Sequence, residues 1–482
     1  MSGRGAPRLQ PLLLTLLYWS VPALLSFWLF RLGLWCWFHR DDFPLLLLSQ
    51  LPDHEYWPQL WQPRAQGTFR PLSERLFFYY FYQWFGLNAF PYRLLAFATL
   101  LLNLWLVAIV TRRLTGHYWA GFAAACLWGL HHSLATSMAW SSAYNQLLCT
   151  FFLLLSFWLF LQFLSSGNWL YYAAQWVTFL LGFGALEAMV VYPGLLLLYV
   201  VLQERRRWLC VVPMLCASAG LAWLQLQAAP LPAEGLYRAS YGFGLIEGLG
   251  VYAQWALAVE AETWVAVVLA GLLLVFAAYR TLNRDRRGLF FVAWFLAALA
   301  PYLPLASHRS RYYLVIPFLG LAMLGGWALV EAWRAGWRYR LLGAIGLALF
   351  LPPTIAYASD NLGYDHRWSI AARNLLSGVS QARAEHPNET ILLTNVPQEL
   401  FYVAVYHQAF RLISIYDVYL TPDHANIERM SGYEPIDRFF LSREETLRVL
   451  ALDRAVVYDA GGARLTEVTQ QYAALAPLRL TP

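Results

Sequence analysis

The sequence predicts a polytopic α-helical membrane protein with about eleven transmembrane helices and a small C-terminal α/β domain outside the membrane. Three observations carry that prediction. The 482-residue chain is 59% hydrophobic and only 13% charged, where a soluble protein carries about 25% charged residues. Apolar runs of roughly 20 residues, the length that spans a bilayer, recur from Pro11 to Tyr357. After Tyr357 charge rises, and short apolar stretches alternate with polar helical ones.

The remaining composition agrees. Aromatic residues make up 17%, with 23 Trp, as expected where many helix ends sit at membrane–water interfaces. All 34 basic residues are Arg. The net charge of +6 is not a nucleic-acid signal, because most Arg lies in short loops between apolar segments, where it orients a membrane protein. The five cysteines, Cys36, Cys126, Cys149, Cys210 and Cys216, all fall in apolar segments, and none has a His partner at metal-ligand spacing. No cofactor is called for, and a divalent metal is not indicated.

The Arg clusters order the elements. Arg4 and Arg8 put the N-terminus inside, and the apolar run that follows is too long for a cleaved signal peptide, so it reads as a retained anchor. The first helix runs outward from about Leu9 to Phe38. A long external loop follows (39–91), with amphipathic pieces at Pro44–Leu51 and Leu72–Phe85. The second helix returns to Arg112 and Arg113. Further spans are expected at Tyr118–Leu134, Tyr144–Leu164, Leu170–Leu186 and Ala188–Leu202, the last ending before Arg205, Arg206 and Arg207.

Trp208–Leu226 leads into a second external loop (228–263). Trp264–Tyr279, Leu289–Leu305, Tyr312–Trp333 and Leu341–Tyr357 complete the count, with the basic loop Arg280 to Arg287 and the cluster Arg334, Arg338 and Arg340 both falling inside. The odd number of spans places residues 358–482 outside. There Ile391–Val396, Arg411–Ile415 and Ala455–Tyr458 read as strands, and Gln398–His407 and Glu444–Ala451 as helices. The chain thus divides into a transmembrane domain (1–357) and an extracytoplasmic α/β domain (358–482).

Polar groups at the outer helix ends are the candidates for chemistry. Asp41 and Asp42 follow the first helix. A carboxylate there can take a proton from a hydroxyl, or simply cap the following Pro44 helix. His308-Arg309-Ser310-Arg311 is a basic cluster on the outer side, against the inward bias of the other Arg-rich loops. Its guanidinium groups can fork onto phosphate oxygens, or snorkel to lipid head groups. Arg70, in Phe69-Arg70-Pro71-Leu72, can pair with Asp41 or Asp42, meet a phosphate, or form an ordinary loop salt bridge.

Glu187 stands in an apolar setting, where an acid is a functional candidate, or else at a hairpin tip in water. His131 and His132, with Asn145 close behind, sit at another outer helix end, where histidines are more often structural. Tyr237, Arg238 and Tyr241 are candidates for a groove that takes sugar or lipid. No glycine-rich phosphate loop or Walker pattern is present, so a lipid-linked donor fits better than a cytosolic nucleotide sugar.

The order of these motifs resembles the GT-C superfamily of integral-membrane glycosyltransferases, which use polyprenyl- or dolichyl-phosphate sugars. The resemblance covers about residues 9–335 and is closest to the O-mannosyltransferases that carry tetratricopeptide repeats, and to their bacterial relatives. It is carried by Arg40-Asp41-Asp42-Phe43, Phe69-Arg70-Pro71-Leu72 and the stretch from Phe85-Gly86 through Pro91-Tyr92-Arg93 to Asn103. Leu130-His131-His132-Ser133, Ala139-Trp140 through Asn145 to Leu148, Leu186-Glu187 and Ser310-Arg311-Tyr312-Tyr313 follow in the same order. The sequence departs from the pattern at Leu186, where the family has Lys, at His132, where it has Pro, and at Arg93, near its His. The repeats are absent.

The resemblance implies an inverting glycosyltransferase of the cytoplasmic membrane, acting on its outer face. Asp41 or Asp42 would serve as base, and Arg309, Arg311, His308 and Arg70 would hold the donor phosphate. The implied partners are a polyprenyl-phosphate-linked sugar and membrane lipids, with the acceptor open among protein, lipid and glycan. Arg-only basicity points to a bacterium. Two alternatives remain at this level: a non-catalytic glycolipid-binding or scaffold protein of the same fold, and a flippase for lipid-linked glycans.

Overall fold

The structure is a computed structural model that describes residues 9–63, 68–228, 230, 235, 237–259, 262–423, 427–430 and 434–479. Arg4 and Arg8, on which the expected orientation rests, and parts of the 228–263 loop lie outside the described residues. Helices occupy all eleven expected spans. Among the described residues, six helices are long and apolar enough to cross a membrane by length and composition: Leu14–Trp35, Ala89–Thr115, Ser141–Ser166, Arg207–Ala228, Thr263–Leu282 and Trp337–Glu385. Glu187–Gln203 and Arg287–Tyr302 are apolar but shorter.

Local chemistry sets the boundaries. The Asn88 side chain accepts from the Phe90 N–H to start the Ala89–Thr115 helix, which ends at Gly116 with φ +76 after Arg112 and Arg113. That is an Asn N-cap and a left-handed glycine C-cap. The twelve-residue Tyr118–Gly129 helix packs between Ala89–Thr115 and Phe318–Ala335. A Cβ at Gly326 would stand 2.6 Å from the Ala124 nitrogen and 2.7 Å from the Ala120 oxygen. Only glycine lets these two backbones approach so closely.

Element bounds depart from expectation at several points. The last span does not stop at Tyr357: one helix of 49 residues runs from Trp337 to Glu385, through Pro352 and Pro353. Its second half buries Leu362, Ser369, Ala372, Leu376 and Val379, a 3- to 4-residue spacing that keeps one face packed. The composition change near residue 358 therefore marks more polar surroundings, not a helix end. The 228–263 loop holds a helix of its own, Phe243–Ala258. The expected strand Arg411–Ile415 is a 3₁₀ turn at Ala409–Ile413, closed by Ser414 at φ +57.

The C-terminal sheet has four strands: β1 (Thr390–Thr394), β2 (Val418–Leu420), β3 (Ala455–Asp459) and β4 (Thr466–Glu467), in the order β2-β1-β3-β4. β1 pairs parallel with both neighbours, Ile391 facing Val418 and Val456, and β4 runs antiparallel to β3. The near-continuous apolar β1 suits a central parallel strand covered on both faces. The expected Gln398–His407 helix reduces to Gln398–Leu400 followed by a π turn at Phe401–Val405. That turn and the Ala409–Ile413 turn lie against the loop after the first helix. There the Arg40 N–H donates to the Val403 carbonyl at 2.8 Å, and the Gln50 amide donates to the Leu412 carbonyl at 3.0 Å.

Candidate active site

Arg40 turns the chain. Its φ is +53, a left-handed conformation that a non-glycine residue adopts at a cost of roughly 1–2 kcal/mol. Three contacts hold it there: the backbone bond to Val403, an ion pair from its guanidinium to Asp365 at 3.1 Å, and stacking over the Trp140 ring at 5.6 Å. The two aspartates that follow then separate.

Asp42 points inward and is fully buried. One of its oxygens accepts from both the backbone N–H and the hydroxyl of Ser142, at 2.8 and 2.7 Å. The other faces the Arg93 guanidinium at 3.7 Å. Arg93 is itself buried and donates to the carbonyls of Cys36 and Trp37. Burial pushes the Asp42 carboxyl up to about 6, against the opposing pull of Arg93 and Ser142. This residue ties the loop to the turn that starts the Tyr144–Ser166 helix and is closed off from solvent.

Asp41 points the other way. Its side chain is 24% exposed and lies 3.6 Å from the His407 Nδ1, contributed by the C-terminal domain. His308 and Tyr312 lie within its electrostatic reach. The segment between them carries Arg309 and Arg311, so the acidic and basic candidates share one neighbourhood.

Arg309 and Arg311 line a polar cavity of ≈ 170 Å³ with His132, Thr136, Trp255, Tyr357 and Asn361. The Arg311 guanidinium lies over both the Trp255 and Tyr357 rings, at 4.6 and 4.4 Å, and donates to the Tyr357 hydroxyl at 2.7 Å. Arg309 donates to Glu247 at 2.8 Å, while its Nε is buried without a hydrogen-bond partner. Two guanidinium groups in one small polar cavity make a site for an anion.

Beneath this cavity an apolar groove of ≈ 590 Å³ is lined by Leu269, Leu273, Phe276, Phe318, Leu342 and Phe350, with Arg280 and Glu331 also on its wall. The His131 ring stacks on Phe318 at 3.7 Å and lies parallel to Phe350 at 6.1 Å. Its neighbour His132 lines the polar cavity. One His–His step therefore separates the polar cavity from the apolar groove.

The other expected residues fall as follows. Arg70 meets neither aspartate: it pairs with Glu187 at 2.7 Å and Glu74 at 2.8 Å. Glu187 is not at a hairpin tip in water; it also accepts from the Phe69 N–H at 3.0 Å and fastens that loop to the helices behind it. His131 is fully buried and bonded to Ser133 and the Ala256 carbonyl. Asn145 donates to the Ser142 carbonyl, and its Oδ1 is buried without a partner, as is the Ser141 Oγ. Tyr237 packs on His308 at 4.5 Å, whereas Arg238 and Tyr241 are exposed.

Arg93, named only as a departure from the family pattern, and Glu247, Asp365 and His407 carry no role in the sequence expectations. A charge inside the second span was a usable signal for Arg93. His407 had none, because only the folded C-terminal domain brings it to Asp41.

No family model and no curated protein matches the chain. Among solved structures the chain is similar to ArnT from Cupriavidus metallidurans bound to undecaprenyl phosphate, at 14% identity and TM-score 0.48, over 96% of this chain and 94% of that one. It is also similar to the Archaeoglobus fulgidus oligosaccharyltransferase in the apo form, at 12% identity and TM-score 0.48, over 81% of this chain and 63% of that one.

Proposed function

We propose that this protein is a membrane glycosyltransferase of the GT-C type that moves a sugar from a polyprenyl-phosphate donor to an acceptor hydroxyl on the outer face of the cytoplasmic membrane. The observation that carries the reading is the single short segment His308–Tyr312. It bears Arg309 and Arg311 on the wall of the polar cavity, and its ends, His308 and Tyr312, feel the charge of the outward-facing Asp41. In this reading the donor phosphate sits in the polar cavity and its isoprenoid chain in the apolar groove. Asp41 takes the proton of the acceptor hydroxyl as its oxygen bonds to the anomeric carbon. The bond from that carbon to the phosphate oxygen breaks, and the charge left on the lipid phosphate is met by the two guanidinium groups. Attack from the side opposite the phosphate inverts the anomeric centre.

The test uses purified protein in nanodiscs with a panel of radiolabelled polyprenyl-phosphate sugars. Transfer or hydrolysis of one label by the wild type, lost in Asp41→Asn, supports the reading and names the donor. Tight binding of a donor with no turnover from any of them overturns it in favour of a glycolipid-binding protein.

A further inference from the structure

The C-terminal domain does more than cover the helical bundle, because it reaches the loop that carries Asp41 at three points besides the pairing of Asp365 with Arg40 and His39. Two are hydrogen bonds to its carbonyls: the Arg40 backbone N–H donates to Val403 at 2.8 Å, and the Gln50 side-chain amide donates to Leu412 at 3.0 Å. The third is His407, whose Nδ1 stands 3.6 Å from the Asp41 Oδ1 with its side chain 12% exposed.

The turn that presents His407 is closely specified. The Tyr406 N–H bonds back to Phe401 and the Gln408 N–H to Val405, both at 2.9 Å, and Gln408 takes φ +57 to end the turn. The Tyr406 ring stands edge-on to the imidazole at 5.3 Å. Two left-handed non-glycine residues, Arg40 and Gln408, therefore flank the meeting of Asp41 with His407. Strained backbone of this kind persists where the surrounding structure over-determines it, and it clusters at functional sites.

We propose that His407 is a positioning residue for Asp41, supplied by the C-terminal domain, so that the two domains complete one site. The inference rests on the reading of Asp41 as the base. A short carboxylate side chain has three staggered χ1 wells, and a base works only within about 2.6–3.2 Å of the proton it takes. Asp42 is oriented by Ser142 and Arg93. The corresponding partner of Asp41 is His407, at 3.6 Å. A separation of 3.6 Å is the looser geometry such pairs show before substrate closes the site.

The experiment compares His407→Ala and His407→Asn in the full-length protein, with the polyprenyl-phosphate sugar that the wild type turns over. The asparagine amide nitrogen stands close to where Nδ1 does and keeps one donor toward Asp41. In His407→Ala, kcat falls about tenfold or more, as expected when a catalytic group is misplaced. The KM for the donor and the melting temperature in detergent stay at wild-type values, and His407→Asn recovers most of the lost kcat. A His407→Ala variant with wild-type kcat overturns the proposal, and so does an equal fall of both variants accompanied by a lower melting temperature. Asp41→Asn is measured alongside. If it stays active, the assignment of the base fails. If it is inactive while His407→Ala matches the wild type, only the role of His407 fails.

Discussion

Asp41 and Asp42 are neighbours in sequence but serve opposite sides of one loop: Asp42 is buried against Ser142 and Arg93, and Asp41 faces outward to His407. The left-handed Arg40 before them separates the two carboxylates. Their chemistry should separate in the same way. Asp41→Asn is expected to lower turnover by roughly 10²- to 10⁴-fold, the usual loss of a general base, without changing the melting temperature. Asp42→Asn keeps an oxygen that can accept from Ser142 and should retain turnover within about tenfold. Labelled-donor assays on the two purified variants check both. Equal activity in the two variants would sink the assignment.

Asp42 also makes stability depend on pH. Its carboxyl is raised from 3.8 to about 6 by burial, so between those values the folded protein holds a proton that the unfolded chain has released. Stability from this group is then greatest at the acid end and falls as pH rises through the window. Above about 6 the cost is fully present, on the order of 3 kcal/mol. The melting temperature of the wild type should drop between pH 4 and pH 7 relative to that of Asp42→Asn, whose amide does not titrate. Parallel pH profiles for the two proteins would contradict this account.

The helices were legible because apolar run length acts locally, and a helix lies on each expected span. The end of the last helix was misplaced because a change in composition reports solvent, while Leu362, Ala372 and Val379 continue the same buried face. The strand expected at Arg411–Ile415 failed because three apolar residues around Ser414 suit a packed turn as well as a strand. At the site, the residue types were readable and their partners were not. Arg70 and Glu187 lie 117 positions apart, and His39 approaches Asp365 only through the final helix. Such pairings are decided by tertiary packing.

Arg311 is expected to tolerate no substitution by lysine. Its guanidinium lies over two rings, Trp255 and Tyr357, and bonds the Tyr357 hydroxyl. A planar, weakly hydrated cation can do this while still presenting N–H groups to a phosphate, and an ammonium cannot. Arg311→Lys should weaken binding of the lipid phosphate by about tenfold or more, the equivalent of one charge-assisted bond. Titration of polyprenyl phosphate against the variant in nanodiscs measures it, and wild-type affinity would remove Arg311 from the donor site.

Arg70, a candidate for the donor phosphate, and Glu187, a candidate for the substrate groove, are joined to each other in an ion pair that can brace the loop. Arg70 binds Glu187 through Nε and Glu74 through its terminal nitrogen, while Glu187 also receives the Phe69 N–H. Each side chain is about one-fifth exposed, 20% for Arg70 and 21% for Glu187, so the pair is worth more than a surface bridge but is partly screened. Removing Glu187 leaves the cation with Glu74 alone and the Phe69 N–H without its acceptor. Removing Arg70 leaves two neighbouring carboxylates without their shared cation. Each single alanine variant should therefore cost about 2 kcal/mol, and the double variant less than the sum, because the second removal relieves the charge stranded by the first. Melting temperatures for the four members of the cycle give the coupling directly. Strict additivity would mean that the pair does not act as a unit. A loss of turnover in Glu187→Ala with an unchanged melting temperature would instead support Glu187 as part of the substrate groove.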